Sequence, residues 1–405
     1  NFKKHKEFFY FYLIVYLIPV AIILGNLIIN IVSFISILVY FALIIKKRIL
    51  YINYKNYFNL LYFFIFFFTI NLLLSSNFEL SFYSILGFIR YYLLFLIILF
   101  CLNEIEDFKN IFSKIIFILI SFVIIDVLIQ NFFLVDLFGN KIEGSHGRRL
   151  SGPFGEEKVA GTFITKFFYL SCIYLLSKNI QNKYFIPIIF ISIITVILTN
   201  ERSAGIMFFS GSLIFFTFCN LKLLKKIMLF MLAILSILIL FYSNENLKSH
   251  FVDIPYKHFK DNHHKAHFLT AYEIFKENKI FGSGAKTFRY LCMDKKYEKI
   301  KTKYVENRCS THPHNIYLEI LSETGFLGVF ILFMINIYII LFLVKNFIKR
   351  NFLKQEILIL FCNFFILFWP LQTTGAFFST WNGIFYWIFF SYFFNLKKNL
   401  TDHPK

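Results

Sequence analysis

Two histidines, an asparagine and a glutamate fall within eight positions at His312-Pro313-His314-Asn315-Ile316-Tyr317-Leu318-Glu319. An imidazole titrates near neutrality, so such a pair suits proton transfer or metal ligation. Pro313 disfavours helix at His312. Asn315 is a favourable N-cap for a helix that begins at Ile316. His314 then stands just outside a helix N-terminus, whose positive dipole end depresses an imidazole pKa and attracts phosphate. A neutral histidine there, beside arginines, fits base catalysis next to a phosphorylated donor; His312 takes a supporting role. Zinc is the competing reading, on His312 and His314 with Cys309 or Glu319, or on His263 and His267 at i, i+4. The surroundings are poor in carboxylates and Cys309 has a better partner in Cys292, so no metal is expected and His263, His264 and His267 read as solvated.

Other polar groups lie where a greasy chain makes them expensive. Arg202, in Thr199-Asn-Glu-Arg-Ser-Ala-Gly, is either neutralised by Glu201 or, beside a helix N-terminus, part of an anion site. Arg148 and Arg149 lie by a Gly-rich turn in Ser145-His-Gly-Arg-Arg-Leu-Ser-Gly-Pro, which is otherwise an ordinary solvated loop. Arg90 falls inside an apolar run, snorkelling or internally paired, with Asp126 as a possible partner or a proton-path residue. Cys292 and Cys309 share one polar loop, and a disulfide between them would brace the histidine motif. Cys101, Cys172, Cys219 and Cys362 read as small apolar residues.

The elements that must position these groups are membrane helices. The chain is 58% hydrophobic with a mean hydropathy of +0.66, a composition that would leave a soluble protein with an apolar surface. Its apolar runs are continuous rather than alternating, which excludes a membrane β-barrel. The expected fold is an all-α polytopic membrane protein with about twelve transmembrane helices and a long periplasmic loop containing short helices. The spans are read at 8–24, 27–45, 57–74, 81–102, 113–133, 160–176, 184–198, 205–218, 226–242, 319–344, 356–371 and 379–395. Residues 1–242 then hold the first nine spans with an outer loop at 134–159, residues 243–318 the periplasmic loop, and residues 319–405 the last three spans and a cytoplasmic tail.

Lysine and arginine concentrate on alternate loops, which places both termini in the cytoplasm and the two long loops outside. The formal net charge of +19 would suggest nucleic acid in a soluble protein. Here much of it lies in short loops that the positive-inside rule explains, so no nucleic-acid partner is expected. Phe268, Ala271, Ile274 and Phe275 recur at helical spacing and predict an amphipathic helix on the membrane surface or against the bundle. The chain opens on Asn1, so its start is read as trimmed, and no cleavable signal peptide is expected ahead of the first span.

Taken together, these residues resemble the O-antigen ligase and polymerase superfamily. The resemblance rests on His314-Asn315-Ile-Tyr317-Leu318-Glu319 followed by Glu323-Thr324-Gly325, on the upstream helix and Gly282-Ser-Gly284 turn, and on Asn200-Glu-Arg202-Ser-Ala-Gly. It covers about residues 145–345, and O-antigen ligases are the nearest fit. The resemblance implies an inverting glycosyltransferase that uses no metal, cofactor or nucleotide sugar. It would take a glycan from undecaprenyl pyrophosphate to lipid A–core on the periplasmic face of the bacterial inner membrane, among membrane lipids. It implies that His314 activates the acceptor hydroxyl and Arg202 binds the pyrophosphate, with Arg148, Arg149, Arg289 and Arg90 as further cations. His312, Asn315, Tyr317, Glu319, His267 and Lys265 would support the site. The family's second arginine, at the start of the loop helix, has no counterpart here, where the chain reads His263-His264-Lys265-Ala-His267; Lys265, His267 or Arg289 is left to fill that role. Within the superfamily the alternatives are a polymerase joining lipid-linked repeats and a protein-glycosylating enzyme. From another class comes a lipid-linked sugar transporter, which should carry its polar groups mid-membrane at broken helices.

Overall fold

The structure, a computed structural model, describes residues 9–46, 55–142, 149–178, 182–257, 261–349, 353–373 and 375–402. In lipid every backbone N–H and C=O must be satisfied within its own segment, and apolar runs of this length do so as helices. Among the described residues there is no strand beyond one isolated bridge, Val135–Lys141. In chain order the main helices are α1 (Phe9–Tyr16), α2 (Ile18–Leu24), α3 (Asn26–Lys46), α4 (Lys55–Leu73), α5 (Phe78–Glu104), α6 (Phe108–Phe133) and α7 (Ala160–Ser177). They continue with α8 (Asn182–Leu198), α9 (Arg202–Phe218), α10 (Leu223–Ser243), α11 (His263–Glu277), α12 (Ile316–Ile348), α13 (Lys354–Phe368) and α14 (Thr380–Asp402). Seven of these, α3 to α7, α10 and α12, are long and apolar enough to cross a membrane. Shorter apolar helices fill Phe11–Leu24, Phe185–Leu198 and Arg202–Phe218. A helix thus stands at each expected span, and the chain is a multi-pass, all-α membrane protein.

The chain divides into two compact units. The first comprises 1–104, 260–339 and 370–395. Its core is aromatic: Phe88 and Tyr92 of α5 each meet Trp387 of α14 with ring centroids 5.3 Å apart. Ser391 donates to the Phe95 carbonyl at 3.2 Å, and Asn395 donates to that of Leu102 at 3.1 Å. The second unit comprises 105–259, 340–369 and 396–405, built on α6, α7, α9 and α13. Inside it Asn363 donates to the Lys166 carbonyl at 2.7 Å, and Lys109 pairs with Glu356. Its α10 buries only Ala233 and exposes apolar side chains along its length, as a lipid-facing helix does.

One local device in the first unit bears on the site. Helix α12 breaks at Gly325, whose φ of +71° is open to glycine and strained for other residues. The break frees backbone groups, and the chain at 279–284 docks on them. Phe326 donates to the Lys279 carbonyl at 2.8 Å, Ser283 to Ser322 at 3.0 Å and Gly284 to Glu323 at 2.9 Å. A Cβ on Gly282 would fall on the Glu323–Thr324 backbone, so the close approach also requires glycine there. The Glu323 carboxylate accepts from the amides of Lys286 and Phe288, at 2.6 and 3.3 Å. The segment leaving α11 is thereby fixed to the start of α12, which carries the histidine motif at its N-terminus.

Candidate functional site

His314 sits immediately before α12 in a left-handed conformation, φ +59°. Asn315 caps the helix as its residue type predicts, its Oδ1 accepting from the amides of Tyr317 and Leu318 at 3.0 and 3.1 Å. Its amide group reaches further, donating to the carbonyls of Pro370 and Gln372 at 2.6 and 3.2 Å. Glu319, buried one turn on, accepts from the amides of Phe377 and Phe378 at 2.8 and 3.4 Å. Asn336 donates to the Tyr317 hydroxyl at 3.0 Å. Asn315, Tyr317 and Glu319 therefore hold the motif in place, and Asn315 and Glu319 tie it to the chain ahead of α14.

Cys292 and Cys309 form the expected disulfide, with Cα atoms 5.2 Å apart. It lies against a small core of Ala271, Ile274, Phe288 and Tyr297. The amphipathic helix is present as α11, but its buried face is Ala266, His267, Thr270, Ala271 and Ile274. Segments of the same polar loop pack on that face, joined by Leu318 of α12, so the loop carries its own core beside the expected contact with a membrane helix.

This packing gathers histidines that the sequence left as solvated. The rings of His264 and His267 lie 5.2 and 5.3 Å from that of His314, and His312 lies 4.2 Å from it. His267 is buried and its Nδ1 is 3.2 Å from the Arg308 carbonyl oxygen. His263 instead turns to Tyr304, ring centroids 4.5 Å apart, so the i, i+4 pair read from spacing does not form. The Nε2 of His314 is 3.1 Å from the Ser310 hydroxyl. Burial first, and then the neighbouring His312, His264 and His267, push the His314 imidazole down to about 3. It is therefore neutral near pH 7 and carries one ring lone pair.

Cations group within each unit. In the first, Arg90 donates to Asn30 Oδ1 at 2.7 Å and to the Tyr91 hydroxyl at 3.1 Å. Lys286 is pushed down by burial first and then by Arg289, with Arg90 adding to the effect. No sequence signal marked Lys286. Lys265 pairs with Asp261 at 3.6 Å. In the second unit Arg202 opens α9, and Glu201 does not neutralise it: the Glu201 carboxylate accepts from the amides of Gly161 and Thr162 and from the Thr162 hydroxyl, at 2.6, 3.2 and 2.6 Å. Two orphan amides at the start of α7 hold that carboxylate more firmly than a flexible guanidinium would. Arg202 makes no ion pair among the described residues, nor does Arg149. Both act on His250, which burial first and then Arg202 and Arg149 push down to about 4. The Nε2 of His250 is buried without a hydrogen-bond partner among the described residues. No sequence signal marked His250. Arg148 lies outside the described residues. Asp126 accepts from the Leu137 amide at 2.8 Å, bracing the loop after α6. A cavity of about 680 Å3 in the second unit, bordered by Phe185, Phe215, Lys226 and Lys354, holds none of these residues.

Fold and site together define a multi-pass membrane protein with a histidine-bearing polar loop braced by a disulfide. Residues 187–333 match the model of a protein family described as O-antigen ligase, a stretch that contains Arg202, His250, α11, Arg289 and the His314 motif. The match covers 147 of the 405 residues, so this part of the chain is similar to O-antigen ligases. No curated protein matches the sequence significantly.

Proposed function

We propose that the chain is a metal-independent, inverting O-antigen ligase. It moves a glycan from undecaprenyl pyrophosphate to a hydroxyl of lipid A–core at the periplasmic face of the bacterial inner membrane. The acceptor oxygen attacks the anomeric carbon opposite the pyrophosphate. Its proton passes to the ring lone pair of His314, the new C–O bond forms, and the old one breaks with its electron pair on the departing undecaprenyl pyrophosphate. A pyrophosphate is already a good leaving group, so arginine charge can replace a metal. Arg202 and Arg149 serve as that charge, and Arg90, Lys286 and Arg289 as further cations along the substrates. The second arginine of the family then has its counterpart in Arg289, since Lys265 is turned to Asp261 and His267 to Arg308.

The observation that carries this reading is His314 itself, fixed by the Asn315 cap and the Cys292–Cys309 brace inside the segment that matches the O-antigen ligase family. The test is the lipopolysaccharide of a deletion strain complemented with His314→Ala or Arg202→Ala. Loss of a positioned base lowers transfer by ~10²–10⁴-fold, so both variants should insert normally and restore no O-chains. Normal lipopolysaccharide from either would refute the mechanism. Long lipid-linked glycan accumulating without O-chains marks a ligase, whereas core capped by single repeats marks a polymerase.

A further inference from the structure

We propose that His264, His267 and His314 form a site for a divalent transition metal of the zinc type, and that metal bound there switches transfer off by occupying the base. The proposal rests on the reading of His314 as the base. One ligand atom from each of the three histidines lies within 4.8 Å of the other two. His264 and His267 are three residues apart on α11 and so share a face. A tetrahedral zinc with Zn–N bonds of about 2.0–2.1 Å sets its ligand nitrogens about 3.4 Å apart. The cluster closes to that geometry by movements of about 1.5 Å or less, which small ring rotations supply.

The Arg308 carbonyl already holds the His267 ring in place. A carbonyl oxygen can only accept, so the Arg308 carbonyl fixes the proton of His267 on Nδ1 and leaves the lone pair on Nε2. This is the arrangement that orients metal-bound imidazoles and raises their basicity. The Arg308 guanidinium is directed elsewhere, to the Cys292 carbonyl at 3.0 Å and Glu298 at 3.2 Å, so its charge is engaged away from the cluster. The disulfide and the Asn315 cap hold His314 against α11, which makes the triad preorganised. Three imidazoles without a carboxylate select zinc, copper or nickel over magnesium and calcium, which require oxygen ligands. A lone pair bound to the metal cannot take the acceptor proton, so occupancy and transfer exclude each other.

The full chain in lipid nanodiscs, stripped with a chelator, is titrated with zinc by calorimetry and with cobalt by its visible absorption. Transfer is assayed across the same zinc series, each variant scaled to its own rate in chelator. One zinc per chain and inhibition over the same concentrations are expected. Loss of an outer-shell partner alone weakens metal sites ~10–100-fold, so His264→Gln should weaken both binding and inhibition at least ~10-fold. Thermal melting in chelator checks that this variant is folded, and His267→Gln provides a second removal of a ligand. Active enzyme that binds no zinc, or binds it equally well in both variants, overturns the site and leaves the base reading standing. Transfer that is lost in chelator and restored by zinc overturns the inhibitory role and the metal-independent mechanism together. Wild-type transfer by His314→Ala overturns the base reading, while the cobalt spectrum still reports the site.

Discussion

Reducing the Cys292–Cys309 bridge should open the polar loop without unfolding the membrane helices. The bridge closes a sequence separation of 17 residues. Loop-closure entropy for that length is worth about 3 kcal/mol, or on the order of 100-fold in the opening equilibrium of the loop. Cys292 is fully buried among Ala271, Ile274 and Phe288, so the bridge ties the covering segment to α11. Cys309 follows Arg308, whose carbonyl orients His267, and precedes Ser310, which contacts His314. Opening therefore disturbs both anchors of the histidine group. Hydrogen exchange, read by mass spectrometry on nanodisc-embedded protein, should accelerate on the order of 100-fold across 288–315 after reduction or in Cys309→Ser. Exchange in the buried 91–102 stretch of α5 should not change, and transfer should fall with the population of closed loop. Unchanged exchange across 288–315 would refute the brace. Equal acceleration in α5 would show that the bridge supports the whole first unit rather than the loop.

The features legible in the sequence are those set by local chemistry. Apolar runs dictate helices because lipid leaves the backbone no other partner. Asn315 was readable as a cap because capping depends on two or three neighbouring residues. The disulfide followed from two cysteines in one polar loop. The histidine cluster left a fainter trace. His264, His267, Ala271 and Ile274 fall on one helical stripe, but Phe268 and Phe275 shifted the apparent face by about one residue, and the histidines were assigned to solvent. Of the two alternatives for Arg202, neutralisation by Glu201 fails for a different reason. Its partners, Gly161 and Thr162, lie about forty residues away at the other end of a helical hairpin, and adjacency to Arg202 suggested a pair that backbone amides outcompete. His250 carried no signal at all, because a lone histidine becomes informative only when folding sets it beside Arg149 and Arg202.

Gly282→Ala should destabilise the first unit by more than the ~1–3 kcal/mol of left-handed strain alone, since its Cβ also strikes the Glu323–Thr324 backbone. Gly139→Ala is the control: its φ is +86° with nothing within 4 Å, so melting temperatures that fall equally in the two variants would refute the docking role of Gly282. His250→Ala should raise KM for the lipid-linked donor about 10–100-fold with a smaller change in kcat, while His250→Gln, which keeps an N–H donor, should recover much of it; an unchanged KM in His250→Ala would remove this residue from the donor site. Burial and two arginines hold the imidazole pKa at about 4, so near pH 7 it is a neutral donor with a buried Nε2 that has no partner among the described residues. A hydrogen bond from such a group to a charged phosphate oxygen is worth ~1.5–3 kcal/mol, which converts to that change in KM.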